Sequence, residues 1–134
     1  MKKLTLLLVM ILVVAGCKKQ NLAPEGPTDV RIKNVTGDVV FENVIVDTGR
    51  GDFNYGNIVA GAVSEYHRFE VSYPSIEVSL TIDGMQYTNG EIDNTYSTYI
   101  GTDKVTYEVY PTSIGSGVLV VDIVYPLDGP ITDL

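Results

Sequence analysis

Ile76, Val78, Leu80 and Ile82 alternate with Glu77, Ser79 and Thr81. Successive side chains of an extended strand point to opposite faces, so this spacing suits a sheet with one buried face. On a helix the same residues would scatter around the axis. Asp83-Gly84 follows at once, and Met85 to Thr88 turns back. A two-residue type I′ turn needs positive φ at both central positions, which Asp-Gly supplies at little strain. A lone hairpin cannot bury its apolar face, so the chain has to bring more strands to it.

Those strands are legible on either side. Val30 and Ile32 alternate with charged residues. Val40, Glu42, Val44 and Val46 share one parity, with Phe41 and Ile45 on the other. Val63, His67, Phe69 and Val71 alternate with Ser64, Tyr66, Arg68 and Glu70. Val105, Tyr107 and Val109 alternate with Thr106 and Glu108. Val118 to Val124 is more continuously apolar, and reads as a strand buried on both faces or near the sheet centre. Turn signals at Thr36-Gly37-Asp38, Thr48 to Gly51, Asn89-Gly90, Gly101-Thr102-Asp103 and Ser113 to Gly117 punctuate the runs. The pattern predicts an all-β body, an antiparallel β-sandwich of about seven strands. An immunoglobulin-like order is the leading architecture and a transthyretin-like one the alternative. No tandem repeat is present.

The chain begins differently. Lys2 and Lys3 precede an apolar run from Leu4 to Val14, broken only by Thr5. As a helix it would reach roughly 16 Å, against a bilayer core of ~30 Å, so it fits the apolar region of a secretory signal. Val14-Ala15-Gly16-Cys17 closes it, with the chain's single cysteine in last place. This pattern resembles the lipobox of bacterial lipoprotein signals. The resemblance implies recognition of Val14, Ala15 and Gly16, cleavage before Cys17 and acyl chains on Cys17, which hold a protein stably when two or more are present. Residues 1–16 are then a signal peptide. Residues 17–28, with two prolines and no apolar period, read as a flexible tether. Residues 29–126 are the sandwich domain and 127–134 a C-terminal tail.

The leader carries two of the nine Lys+Arg and none of the 17 Asp+Glu, so the mature charge falls from −8 to −10. Nucleic acid is excluded as a partner, since binding it requires clustered cations. The membrane is reached through the acyl chains on Cys17, and a further partner is an envelope protein or a glycan. Lys18 stands where Asp would mark inner-membrane retention, which favours the outer membrane. Lys18-Lys19 also departs from the acidic residues of surface-export signals, which favours its periplasmic face.

Asn34-Val35-Thr36-Gly37, Phe41-Glu42-Asn43-Val44, Tyr55-Gly56, Gly61, Ser64-Glu65-Tyr66, Phe69-Glu70, Tyr73 and Ile82-Asp83-Gly84 occur in that order. Together they resemble a family of small bacterial lipoproteins of uncharacterised function. The resemblance runs over residues 30–84 and implies a lipidated single β-sandwich. It implies no catalytic residue.

Candidate chemistry is sparse. His67 is the only histidine and shares parity with core positions, which places it in packing rather than beside a nucleophile. Arg50-Gly51-Asp52 copies a tripeptide read by animal adhesion receptors, but its glycines suit a turn. Asp47, Asp52 and Asn54 offer oxygens in one stretch, and Asp83, Asn89, Glu91, Asp93 and Asn94 in another; neither has calcium-loop spacing. Asn34-Val35-Thr36 has the form of a glycosylation acceptor, idle at a bacterial address. Nine Tyr and no Trp leave tyrosine as the aromatic available for stacking on sugars. Tyr96 and Tyr99 are the candidate ligand-binding pair, in a row with Tyr107 and Tyr110; Tyr55, Tyr66 and Tyr73 form a second row. The expectation is a lipid-anchored envelope protein with a binding or structural domain, without cofactor, metal or enzymatic activity. A glycan-binding accessory role is the alternative.

Overall fold

The structure, a computed structural model, describes residues 23–134. The signal peptide and Cys17 lie outside the described residues. The described part is all-β, with nine strands: β1 (Thr28–Asn34), β2 (Glu42–Asp47), β3 (Asp52–Asn54), β4 (His67–Phe69), β5 (Glu77–Ile82), β6 (Met85–Thr88), β7 (Asp103–Pro111), β8 (Leu119–Ile123) and β9 (Gly129–Pro130). They form two facing sheets. One runs β4-β1-β7-β8, with β9 paired to β7; the other runs β3-β2-β5-β6.

The β-sandwich is the fold that alternation predicts, with two short strands beyond the expected seven. Strand order separates the two architectures that alternation leaves open. An immunoglobulin sandwich puts its first two strands in one sheet with the fourth and fifth. Here β1 instead lies between β4 and β7, the order of the transthyretin-like alternative. Not every pairing is antiparallel: β1 runs parallel to β7 over Asp29↔Lys104 to Asn34↔Val109, and a single parallel bridge joins Thr88 to Val118. Period two reports which face a residue occupies and carries nothing about a neighbour's direction.

The hairpin forms as its sequence dictates. Ile76, Val78, Leu80 and Ile82 are buried, Ile82 pairs with Met85, and Asp83 and Gly84 take φ of 49° and 79°. In β2 the parity breaks. Phe41 and Val44 are both buried while Glu42 and Asn43 are exposed, because the register shifts between Glu42 and Ile45 and Asn43 adopts φ 50°. This is a β-bulge, which turns Phe41 inward instead of out. Val30, Ile32, Val78, Leu80, Val105 and Tyr107 fill the space between the sheets.

Both ends of the domain move outward from the predicted limits. Within the tether, a side chain on Gly26 would collide with the Glu70 carbonyl oxygen. Thr28 is buried and donates to the Gly101 carbonyl at 2.5 Å. Residues 127–134 are no tail. β9 pairs with the start of β7, Ile131 is buried, and Asp133 meets Arg68 at 2.7 Å. The final correction is β8, an edge strand and not a central one, with Val120, Val121 and Ile123 only half-buried.

Candidate functional site

The short strands β3 and β4 are the edges of their sheets on the same flank of the sandwich. Three residues each leave a gap between the sheets there, and aromatic side chains close it. Val30 pairs with His67, which aims the imidazole inward beside Phe69. Its ring lies flat on Phe53, with centroids 3.6 Å apart and planes at 6°. Tyr55 meets Phe53 edge-on at 4.9 Å and donates its hydroxyl to the Val30 carbonyl at 2.6 Å. Tyr55 is thereby a strut from the β3 side to the opposite sheet. Burial pushes the Tyr55 phenol well above its usual range. Burial also lowers the His67 pKa, a shift that the Asp29 carboxylate partly opposes.

The connection from β3 to β4 folds over this closure and leaves a hollow of about 370 Å³ beside it, walled by Phe53, Tyr55, Ile58, Val59, Val63 and Tyr66. Val59 and Val63 stand at its mouth, 58% and 41% exposed. Ser64 holds the connection in place. Its hydroxyl accepts from the Ile32 N–H and donates to the Glu65 carbonyl, both at 2.9 Å. Nothing in the alternation marks this hollow: Val63 shares the parity of His67, Phe69 and Val71 yet is exposed, because β4 begins only at His67 and Val63 lies in the connection before it.

The predicted tyrosine pair separates. Tyr96 is 99% exposed, carried on a turn where Asp93 accepts the Thr95 N–H at 2.9 Å. Tyr99 instead stacks on Tyr73 at 5.0 Å, and its hydroxyl receives the Arg50 guanidinium at 2.9 Å. The rest of the rows disperses also. Tyr107 is in the core, its hydroxyl bonded to Ser72 and to the Tyr73 carbonyl. Tyr110 reaches Asp122 at 3.3 Å. Tyr66 lies under Arg31 and donates to Asp128 at 2.8 Å.

Arg50 is drawn onto its own chain by Tyr99, Glu25 and Glu70, the two carboxylates at 3.4 Å. The adhesion-like tripeptide therefore presents no free arginine. The oxygen-bearing residues serve turns and connections. Asp47 accepts the Gly49 N–H at 2.7 Å and Asn54 the Gly56 N–H at 2.8 Å. Asn89 bonds Val78 N–H and Ile76 carbonyl, both at 2.8 Å. Among the described residues no three His, Cys, Asp or Glu side chains gather to hold a metal ion. Asn34 of the acceptor-like triplet is fully buried. Val14, Ala15, Gly16 and Cys17 lie outside the described residues.

No protein-family model matches the chain, and no curated protein does. Among solved structures, an NMR structure of a protein from Eubacterium rectale is similar over 72% of this chain and 87% of its own length, at 17% identity and a TM-score of 0.49.

Proposed function

We propose that this is a lipid-anchored protein of the bacterial outer membrane whose sandwich binds an envelope protein and catalyses no reaction. The anchor rests on Val14-Ala15-Gly16-Cys17. The binding role rests on one observation, the hollow beside the Phe53–His67 stack with Val59 and Val63 exposed at its mouth. Preformed concavities with aromatic walls and a few polar groups are the usual setting of binding sites. Exposed apolar side chains clustered at such a rim favour a protein partner. His67 lies flat on Phe53 and the Ser64 hydroxyl is engaged at both ends; both favour packing over nucleophilic chemistry.

The test places a photo-crosslinking residue at Val59 in the native envelope, and a control at Ile45, exposed on the outer face of β2. A partner joined through Val59 and lost on Val63→Glu supports the reading. Equal yields from both positions refute it. Mass spectrometry of the purified mature chain checks the anchor by acyl mass on Cys17.

A glycan-binding role is the second reading, favoured by the complete exposure of Tyr96. It expects binding on a glycan array that Tyr96→Ala removes and Tyr99→Ala weakens. Silence of the wild-type chain across the array dismisses it.

A further inference from the structure

The body takes hold of its tether at one end of the sandwich. Gly26 lies so close to the Glu70 carbonyl that no side chain fits between them. Glu25 meets Arg50 at 3.4 Å, and Arg50 in turn meets Glu70 and the Tyr99 hydroxyl. The Pro24 carbonyl packs against Gly101, and Thr28 donates to the Gly101 carbonyl. The chain is therefore part of the body from Pro24 onward. Only seven residue steps separate Cys17 from Pro24, about 25 Å at full stretch.

The segment before Gly101 lies at the same end. The Ile100 N–H bonds the Ser72 carbonyl at 2.9 Å, Tyr99 stacks on Tyr73, and the Asn94 amide donates to the Ser75 carbonyl at 3.2 Å. Tyr96 stands on the turn between these contacts, within about 10 Å of Tyr99 along the chain. It is 99% exposed. A ring held wholly in water adds nothing to the core. Tyrosine is also a side chain that collects at the boundary of lipid and water, where its ring is covered and its hydroxyl stays wet. The hollow lies at the other end. β1 runs about 20 Å from Thr28 to Asn34, and there the Asn34 N–H meets the Ala62 carbonyl and Lys33 pairs with Val63.

We infer that Tyr96 is a second point of contact with the membrane, its ring seated in the headgroup layer beside the place where the tether enters the body. The occupant of this surface is a zwitterionic bilayer. Asp93 in the same turn accepts both the N–H and the hydroxyl of Thr95, which keeps it a carboxylate and disfavours anionic lipid. The inference rests on the proposed acyl chains: they hold the protein, and the ring orients it. Two contacts fix what one leaves free to swing. The body then stands on the end where β1 begins, with Val59 and Val63 turned away from lipid toward a partner in the periplasm. Tyr96 is thereby withheld from a glycan.

The chain has no tryptophan, so a single introduced indole is a clean reporter. The full acylated chain carrying Tyr96→Trp or Val59→Trp is reconstituted in phosphatidylcholine vesicles that contain brominated lipid. Y96W should emit to the blue of its vesicle-free position and be quenched several-fold more than V59W, whose emission should not move. Adding Tyr96→Ser to V59W should raise the quenching of that indole as the body tips over. Y96W quenched no more than V59W, or V59W unaffected by Y96S, overturns the inference, while flotation of the chain with the vesicles leaves the anchor standing. A chain that fails to float overturns both.

Discussion

Asn34 is fully buried at the end of β1, and its side chain is saturated. The amide nitrogen donates to the Val39 and Ile58 carbonyls at 2.9 and 3.0 Å. The amide oxygen accepts from the Thr36 N–H at 3.0 Å and the Thr36 hydroxyl at 2.6 Å. Asn34→Ala removes all of these. Each is worth about 1 kcal/mol net, giving a ceiling of about 4 kcal/mol. Two orphaned acceptors keep other partners: Val39 carbonyl retains the Thr36 hydroxyl and Ile58 carbonyl retains the Phe41 N–H. The expected loss is therefore about 3 kcal/mol. Asn34→Asp separates donor from acceptor. It keeps the oxygen that serves Thr36 and points a carboxylate at two carbonyls in a dry site. Burial and those carbonyls raise the folded pKa of the introduced acid. Its protonated form, which restores a donor, is the stable one. Stability of N34D is thus highest below the unfolded carboxylate pKa and is lost as pH rises through the raised folded value. A rise of about three units corresponds to about 4 kcal/mol lost at neutral pH. Urea unfolding followed by circular dichroism at several pH values reads both variants. An N34A within 0.5 kcal/mol of wild type, or an N34D deficit flat with pH, would refute this account of the site.

Three further outcomes follow from single contacts. Burial against Phe53 lowers the His67 pKa; the unfolded chain then binds the proton more readily, so this group's contribution falls as pH drops through the unfolded histidine pKa and levels off below the folded one. Phe53→Ala should return the value toward the ordinary range, read from the ring-proton NMR titration, and an unchanged titration would remove the cause assigned here. The Arg68 hydrogen bond holds the Asp133 carboxyl below its usual range, so this latch is intact above the unfolded carboxylate pKa and is lost as pH falls through the depressed folded one; the protection of the Ile131 N–H, bonded to the Thr102 carbonyl at 3.0 Å, taken relative to the intrinsic exchange rate at each pH, should fall in acid, and in Asp133→Asn at neutral pH. Tyr107→Phe takes a buried hydroxyl from Ser72 and the Tyr73 carbonyl and should cost about 1–2 kcal/mol, seen as a fall in Tm, whereas Tyr96→Ala should leave Tm unmoved.

Where a strand has one buried face and a free one, its sequence records that fact residue by residue. β5 is such a strand, and its inward residues and its turn were legible outright. β2 was legible except at Asn43, because a bulge inserts a residue without altering composition. Val118 to Val124 misled for an informative reason. Apolar residues on both parities mean only that both sides suit burial, and nothing in the run says whether the chain itself provides the second cover. Arg50 and the residues after Leu127 escaped because their partners, Tyr99 and Arg68, are distant in sequence and polar. Pairings of that kind leave no period. The parity of His67 with Phe69 did place the imidazole inward, but its stacking partner Phe53 lies across the gap between sheets, which no local pattern reaches.

Several of the residues in the ordered motifs from Asn34 to Gly84 hold the scaffold together. Asn34 knots the end of β1, and the hydroxyls of Tyr55 and Ser64 brace the connection from β3 to β4 against Val30 and Ile32. Phe69 fills the core and Asp83-Gly84 turns a hairpin. By contrast Val59, Val63 and Tyr96, which carry the proposed contacts, fall outside those motifs. A chain can keep every scaffold residue and change all of these without loss of fold, because exposed positions contribute little to stability. A chain that kept Asn34, Tyr55 and Asp83-Gly84 would then share this sandwich while binding a different partner. The rim of the hollow is accordingly the place where a shared partner would have to be visible.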